Sequence, residues 1–180
     1  MRSAKLKTNV LYIMKIKGSI LILFAVLLGC SKGNNINVTL NGALSNCPAN
    51  YVCTYNYYDH AEVSQNKLTT GGSRVFSYTS VDSSGCIDTK QLYFKTSLGN
   101  SDFDLKASQV AAGLAIYYES RSICMPAIEA TKPIGGEIKG KKTDADHWLI
   151  NATVILGDIN NKPVDTLTVN QSFTLQASPK

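Results

Sequence analysis

The strongest constraint on this chain is a two-residue alternation of apolar and polar side chains, which recurs from Ile36 to the C-terminus. A period of two places alternate residues on opposite faces of an extended strand, whereas a helix face recurs every three to four residues. The cleanest instance is 166–176, where Leu167, Val169, Phe173 and Leu175 share one face and Thr168, Asn170, Ser172 and Thr174 the other. Trp148, Ile150, Ala152, Val154 and Leu156 make a second apolar face, and Phe103, Leu105 and Ala107 alternate with Asp102, Asp104 and Lys106. Gly, Asn, Asp and Pro punctuate these runs, as turns require. Residues 137–156 read as a hairpin with its tip at Thr143-Asp144-Ala145-Asp146, and 74–98 as another turning near Ser83-Ser84-Gly85. Tyr51 to Val63 reads as a further strand, and Val38 with Leu40 as a short first one. Residues 109–118 fit either period; Gly113 weakens a helix and Ile116-Tyr117-Tyr118 suits a strand, so a strand is expected there. Seven to nine short strands predict an all-β fold over 36–180: a single antiparallel β-sandwich, with a barrel as the nearest alternative.

The first 35 residues follow a different logic. Ile20 to Leu28 is an unbroken apolar run with lysines before it and Gly29-Cys30 after it. Nine helical residues rise only about 14 Å, far short of the roughly 30 Å bilayer core, so the run does not span. A basic region, a short apolar helix and a small residue at the cut make a secretory signal over 1–29. Within it, Leu27-Leu28-Gly29-Cys30 resembles the lipobox of bacterial lipoproteins. The resemblance implies cleavage before Cys30, lipidation of its thiol, and membrane attachment through acyl chains. Residues 30–35 then form the lipidated cysteine and a polar tether, Ser31-Lys32-Gly33-Asn34-Asn35. Met14 opens a more compact signal of the same kind than Met1 does, which points to translation starting at Met14.

Charge supports this division. The formal net charge is +5, but Arg2, Lys5, Lys7, Lys15 and Lys17 all precede Cys30, where there is no acid; the rest carries 13 basic and 13 acidic side chains. A neutral domain is not a nucleic-acid-binding domain, and no nucleic-acid partner is expected. Setting Cys30 aside, Cys47, Cys53, Cys86 and Cys124 remain, an even number that reads as two disulfides in an exported chain. Three pairings are open. The short C-P-A-N-Y-V-C spacing favours Cys47–Cys53 and hence Cys86–Cys124.

Catalytic and cofactor motifs are weak. Gly135 to Thr143 imitates a phosphate-binding loop, yet Lys142 stands where a hydroxyl is needed and no helix follows. Asp144, Asp146 and His147 gather at a hairpin tip, with too few oxygens for calcium. His60 and His147 each neighbour an Asp, without the strand-turn-helix elbow that presents a serine nucleophile. No metal or cofactor is therefore expected. Tyrosines are the remaining signal: Tyr51, Tyr55 and Tyr57 share one strand face with Cys53 and are the candidate binding residues, for a sugar ring or a protein partner. Tyrosine is also a good strand former, and core or cross-strand packing is the plainer reading.

Beyond the signal, Gly72-Ser73-Arg74-Val75-Phe76, Gly136-Glu137-Ile138-Lys139-Gly140 and Trp148-Leu149-Ile150-Asn151-Ala152 give the chain a likeness to small uncharacterised lipoproteins of Bacteroidota. It resembles them as a family without a known activity. The likeness implies a cell-envelope location, at the outer membrane and facing the periplasm or the cell surface. The expectation is a non-catalytic, lipid-anchored β-domain that binds a protein or glycan. Two other readings are an envelope hydrolase using His60 or His147, and a protease inhibitor presenting the 47–53 loop.

Overall fold

The computed structural model describes residues 42–82, 84, 87–122 and 129–180. Cys30, Cys86, Cys124, the strand expected at Val38 and Leu40, and the turn residues Ser83 and Gly85 lie outside the described residues. Nine strands follow one another: β1 (Tyr51–Ser64), β2 (Lys67–Thr70), β3 (Ser73–Asp82), β4 (Asp88–Thr96), β5 (Phe103–Leu105), β6 (Ala115–Arg121), β7 (Lys132–Lys142), β8 (His147–Gly157) and β9 (Pro163–Leu175). The all-β expectation holds, as do the 137–156 hairpin, which is β7–β8, and the pairing of β3 with β4.

All nine strands belong to one sheet, ordered β5-β7-β8-β9-β1-β3-β4-β6, with β2 paired to β1. Every pairing is antiparallel except β9 with β1, which is parallel through Asn56–Thr174 and Tyr57–Leu175. The architecture is a single curled sheet, a half-barrel, whose two halves close on one core much as two sheets of a sandwich would. Strand twist accumulates over so many strands, and bulges bend the sheet further. They occur between Tyr58 and Ala61 in β1, Pro133 and Gly135 in β7, and Leu156 and Gly157 in β8. Aromatic contacts cross the concavity: Phe76 of β3 meets Trp148 of β8 at 5.8 Å and Phe173 of β9 at 5.8 Å between ring centroids.

The concave face is the one that alternation marks out. Trp148, Ile150, Ala152, Val154 and Leu156 of β8 are all buried, together with Val169 and Phe173 of β9. Phe76 and Tyr78, Leu92 and Phe94, and Ala115 and Tyr117 face them from β3, β4 and β6. A smaller cluster of Ala61, Val75 and Tyr93 lies on the convex side, backed by Tyr58 and Tyr118.

The strand expected over 109–118 begins only at Ala115. Before it come one turn of α-helix, α1 (Ala107–Gln109), and a π-helical turn (Val110–Leu114). The Gln109 side chain folds back to accept the Lys106 backbone N–H at 2.9 Å, which caps the turn, and Val110 drives into the core. Gly113, at φ +96°, then redirects the chain into β6. The helical segment packs against β7 and leads straight into β6, the strand at the far edge of the curled sheet.

Two poles result. β1, β4, β7 and β9 start, and β3, β6 and β8 end, at one of them. There Cys47 and Cys53 form a disulfide with Cα atoms 5.8 Å apart, as the short spacing predicts. Closing so small a loop contributes about 2 kcal/mol in the chain-entropy account. The segment leading into this disulfide pole is sewn to β9: Ser45 N–H donates to the Asn170 carbonyl at 2.8 Å, and the Asn170 side-chain amide donates to the Ala43 carbonyl at 2.8 Å. It occupies backbone groups of β9 beyond the short stretch paired with β1. The opposite pole carries the end of β4, β5, the helical segment and the β7–β8 turn.

Candidate cleft at the pole opposite the disulfide

A cleft of about 520 Å³ opens at this second pole, between the end of β4, the 97–102 loop, β5 and the helical segment. Its apolar lining is Phe103, Leu105 and Leu114; Ser73, Thr96, Ser97, Ser101 and Gln109 supply hydroxyls and an amide. Phe103 can lie flat against β7 because its neighbour there is Gly140, where a Cβ would overlap the ring. Trp148 at 5.6 Å and Phe76 at 5.4 Å fix the ring from below.

The loop wall is held from inside the barrel. Arg74 is 3% exposed and shares the concave face of β3 with Phe76 and Tyr78. Its Nε and Nη2 donate to the two carboxylate oxygens of Asp59, at 2.6 and 2.9 Å, and its Nη1 donates to the Gly99 carbonyl at 2.8 Å. The guanidinium also sits 4.9 Å over the Trp148 ring and 5.4 Å over Tyr57. Such a fork needs arginine; lysine offers neither the bidentate geometry nor the flat face. From the other side, Lys142 donates its backbone N–H to Asp102 at 3.2 Å and its Nζ to Asn100 at 2.9 Å.

The lysines in and around the cleft are paired with acids, while Asp102, which lines it, forms no ion pair among the described residues and accepts the Lys142 backbone N–H. Lys95 binds Glu62 at 2.8 Å, and Lys106 binds Asp104 at 2.6 Å and Glu137 at 2.7 Å. The Lys95 ammonium pulls the Glu62 carboxyl below its usual range. Lys106 and Lys139, both donating to Glu137, bring its carboxyl down to about 2. What is left facing the cleft is hydroxyls, an amide, a phenyl ring and the Asp102 carboxylate, an acceptor for hydroxyl donors. That chemistry suits an uncharged ligand rich in hydroxyl groups.

The Glu137 shift has a measurable consequence. Its folded-state acidity is stronger than the ordinary 4.5, so its stabilising contribution is full above pH about 4.5 and is lost as pH falls toward 2. Glu137→Gln is expected to lower stability above pH about 4.5, where the carboxylate contributes fully, and to match the wild type near pH 2, so that part of the stability-versus-pH curve flattens. Because the side chain is 41% exposed, solvent screens the pair and the change is modest. Urea midpoints between pH 2 and 6 read it directly.

Neither family models, nor curated proteins, nor solved structures match this chain. Its own geometry therefore carries the functional argument.

The tyrosines expected to bind are placed differently. Tyr51, Tyr55 and Tyr57 do share a face, but it is the concave one. Tyr57 is 1% exposed, with its hydroxyl donating to the Ala145 carbonyl at 3.3 Å, and burial raises its pKa. Tyr55 is half-buried, stacked on Tyr78 at 5.4 Å and edge-on to Phe173. Tyr51 donates to Asp88 at 3.4 Å at the disulfide pole. They form no exposed platform and do not line the cleft, because the sheet curls toward them. His60 is exposed at the β1 bulge, and His147 engages Asp144 through Nδ1 at 2.8 Å; neither lines the cleft. Asp144 also accepts the Asp146 backbone N–H at 2.9 Å, so the hairpin-tip carboxylates serve a solvated turn. Among the described residues no three His, Cys, Asp or Glu side chains are placed to hold a metal ion. The cleft residues carried no sequence motif; only Arg74, a cation in step with Phe76 and Tyr78, signalled an unusual neighbourhood.

Proposed function

We propose that this chain is an exported lipoprotein, attached to the cell envelope through acyl chains on Cys30, and that its β-domain is a non-catalytic binding module for a neutral glycan. The observation that carries the binding reading is the cleft's lining: its lysines are neutralised by acids, which leaves hydroxyls, the Gln109 amide, the Asp102 carboxylate and Phe103 for a ligand. Aromatic rings stack on sugar faces, while serine and amide groups take sugar hydroxyls. The anchoring reading rests on the lysine-flanked run Ile20–Leu28 and on Leu27-Leu28-Gly29-Cys30. Outer-membrane attachment facing the periplasm belongs to the same reading, since Ser31-Lys32-Gly33 brings no acids after the cysteine.

Two measurements test the halves separately. Palmitate label is expected on the wild-type chain and absent from Cys30→Ala, which moves to the soluble fraction; equal labelling of both sinks the anchor. The lipoprotein in detergent is expected to be retained by a subset of immobilised neutral oligosaccharides. Ser97→Arg, which fills the cleft from its exposed wall, should reduce retention about tenfold, the loss expected when a few hydrogen bonds and one stacking contact go. Undiminished retention would place the ligand elsewhere.

A further inference from the structure

Among the described residues, the large apolar side chains that remain exposed are concentrated at one pole. Ile159 is 76% exposed, Val52 60%, Ile87 58% and Val164 54%, and Leu44 on the lead-in segment is 53% exposed. Val52 lies at the start of β1, Ile87 immediately before β4, Ile159 in the turn after β8, and Val164 at the start of β9. These four chain positions are all at the disulfide pole. At the cleft pole, the only comparable described side chain is Leu175, at 36%. Single exposed aliphatics are ordinary on a protein surface; their segregation to one end is not.

The turn that bears Ile159 is built to project it. Asp158 accepts the backbone N–H groups of Asn160 at 2.9 Å and Lys162 at 2.8 Å, and Asn161 adopts φ +62°. With its polar groups satisfied inside the turn, the tip offers solvent an isoleucine. Val164 follows at the bulge where Leu156 pairs with Asp165 and Gly157 with Pro163.

We propose that the disulfide pole rests against the bilayer that holds the Cys30 acyl chains, with Ile159, Val164, Val52 and Ile87 entering its interfacial layer. This inference rests on lipidation of Cys30. The covalent path argues for lipid as the occupant. From Cys30 to Gly42, where the chain reaches β9, it spans at most about 40 Å even when fully extended. A bilayer is thus always within reach of the domain, and weak aliphatic insertion is enough to orient it. The residues themselves are Val and Ile, whereas the energetic centres of protein interfaces favour Trp, Tyr and Arg. The cleft, at the far ends of the same strands, then faces away from the membrane. An eleven-residue strand such as β8 is about 35 Å long, which sets the scale of that separation.

The test uses the full lipidated chain in phosphatidylethanolamine–phosphatidylglycerol vesicles containing doxyl-labelled lipid. Native Trp148 is 1% exposed in the core and gives a constant background. Ile159→Trp and Val164→Trp are expected to be quenched at least about threefold more strongly than Lys141→Trp at the cleft pole, as interfacial insertion requires. Equal quenching at the two poles, or stronger quenching at Lys141→Trp, overturns the orientation. So does protection of Ile159→Trp from soluble quencher in a detergent-solubilised dimer, which would make a second copy the occupant. Palmitate incorporation on the same preparation separates the two failures: no label removes the anchor, while label with uniform quenching removes only the orientation.

Discussion

Arg74→Ala is expected to destabilise the domain by about 3–5 kcal/mol, the range for removing one partner of a buried ion pair. The side chain is 3% exposed, while Asp59, its partner, is 31% exposed. Three hydrogen bonds go at once, two to Asp59 and one to the Gly99 carbonyl, and the Trp148 and Tyr57 rings lose the cation above them. The truncated side chain also leaves a void beside Trp148 and Tyr57. Asp59→Asn keeps the shape and one acceptor, and water reaches it, so its cost is expected to be about 1.5–3 kcal/mol. Arg74→Lys should lie closer to alanine than to wild type, because an ammonium cannot reproduce the fork. Urea unfolding of the four proteins measures this order. A cost below about 1 kcal/mol for Arg74→Ala would mean the pair behaves as a surface salt bridge and does not hold the 97–102 loop. In that case glycan retention should also be unaffected by the substitution.

Arg74 shows how far the sequence could be read. Its place in Arg74-x-Phe76-x-Tyr78 puts it on an apolar face by period alone, which announces a buried cation in need of an acid. The acid, Asp59, sits on the neighbouring strand just beyond the last regular β1–β3 pair, Tyr58–Val75, and nothing local names it. The same holds for the curl of the sheet. Alternation finds β8 and β9 almost residue by residue, since Trp148 to Leu156 and Leu167, Val169 and Phe173 meet the core as their period demands. Alternation says which residues share a face; it does not say which face becomes concave. Tyr51, Tyr55 and Tyr57 were therefore legible as a set, with packing and binding both open, and the curl is what turns Tyr55 and Tyr57 onto the core.

The parallel β9–β1 pair was illegible for a related reason. It joins Asn56 to Thr174 across most of the domain, through one short stretch that neither strand's composition marks. The helical segment failed differently. Gly113 argues against a continuing helix, correctly, but a single α turn followed by a π turn needs no continuing helix. It needs a cap, supplied by Gln109, and a residue able to take positive φ at its exit, which Gly113 is. The cleft combines the ends of several elements, Ser73, the 97–102 loop, Phe103 and Leu114, so its residues come together only once the fold exists.

Gly136→Ala should be the most damaging alanine substitution among the described glycines. The residue lies in β7 at φ +117°, a conformation that side chains rarely adopt, and it pairs with Val154 just after the bulge that ends at Gly135. A Cβ there would overlap the Thr153 carbonyl oxygen and press on the Val154 Cα at 2.9 Å. These are backbone atoms of β8, which cannot turn aside as a side chain would. Relief requires β7 and β8 to separate, and Ile138, Ala152 and Val154 of the core lie on those strands. Strain at the dihedral costs about 1–2 kcal/mol, and displaced core packing adds a further 1–3 kcal/mol, for a total of about 2–5 kcal/mol. Two other glycines separate these contributions. Gly113→Ala meets the same dihedral problem at φ +96° with open space around the added methyl, so it isolates the strain. Gly72→Ala has neither a positive φ nor a neighbour within 4 Å, so it should be neutral or slightly stabilising through the unfolded chain. Thermal and urea unfolding of the three variants is expected to rank them Gly136, then Gly113, then Gly72. If Gly136→Ala cost no more than Gly113→Ala, the β7–β8 hairpin would be free to move apart, and the tight register from Gly135 to Lys142 would not be what fixes Phe103 against Gly140 on the cleft side.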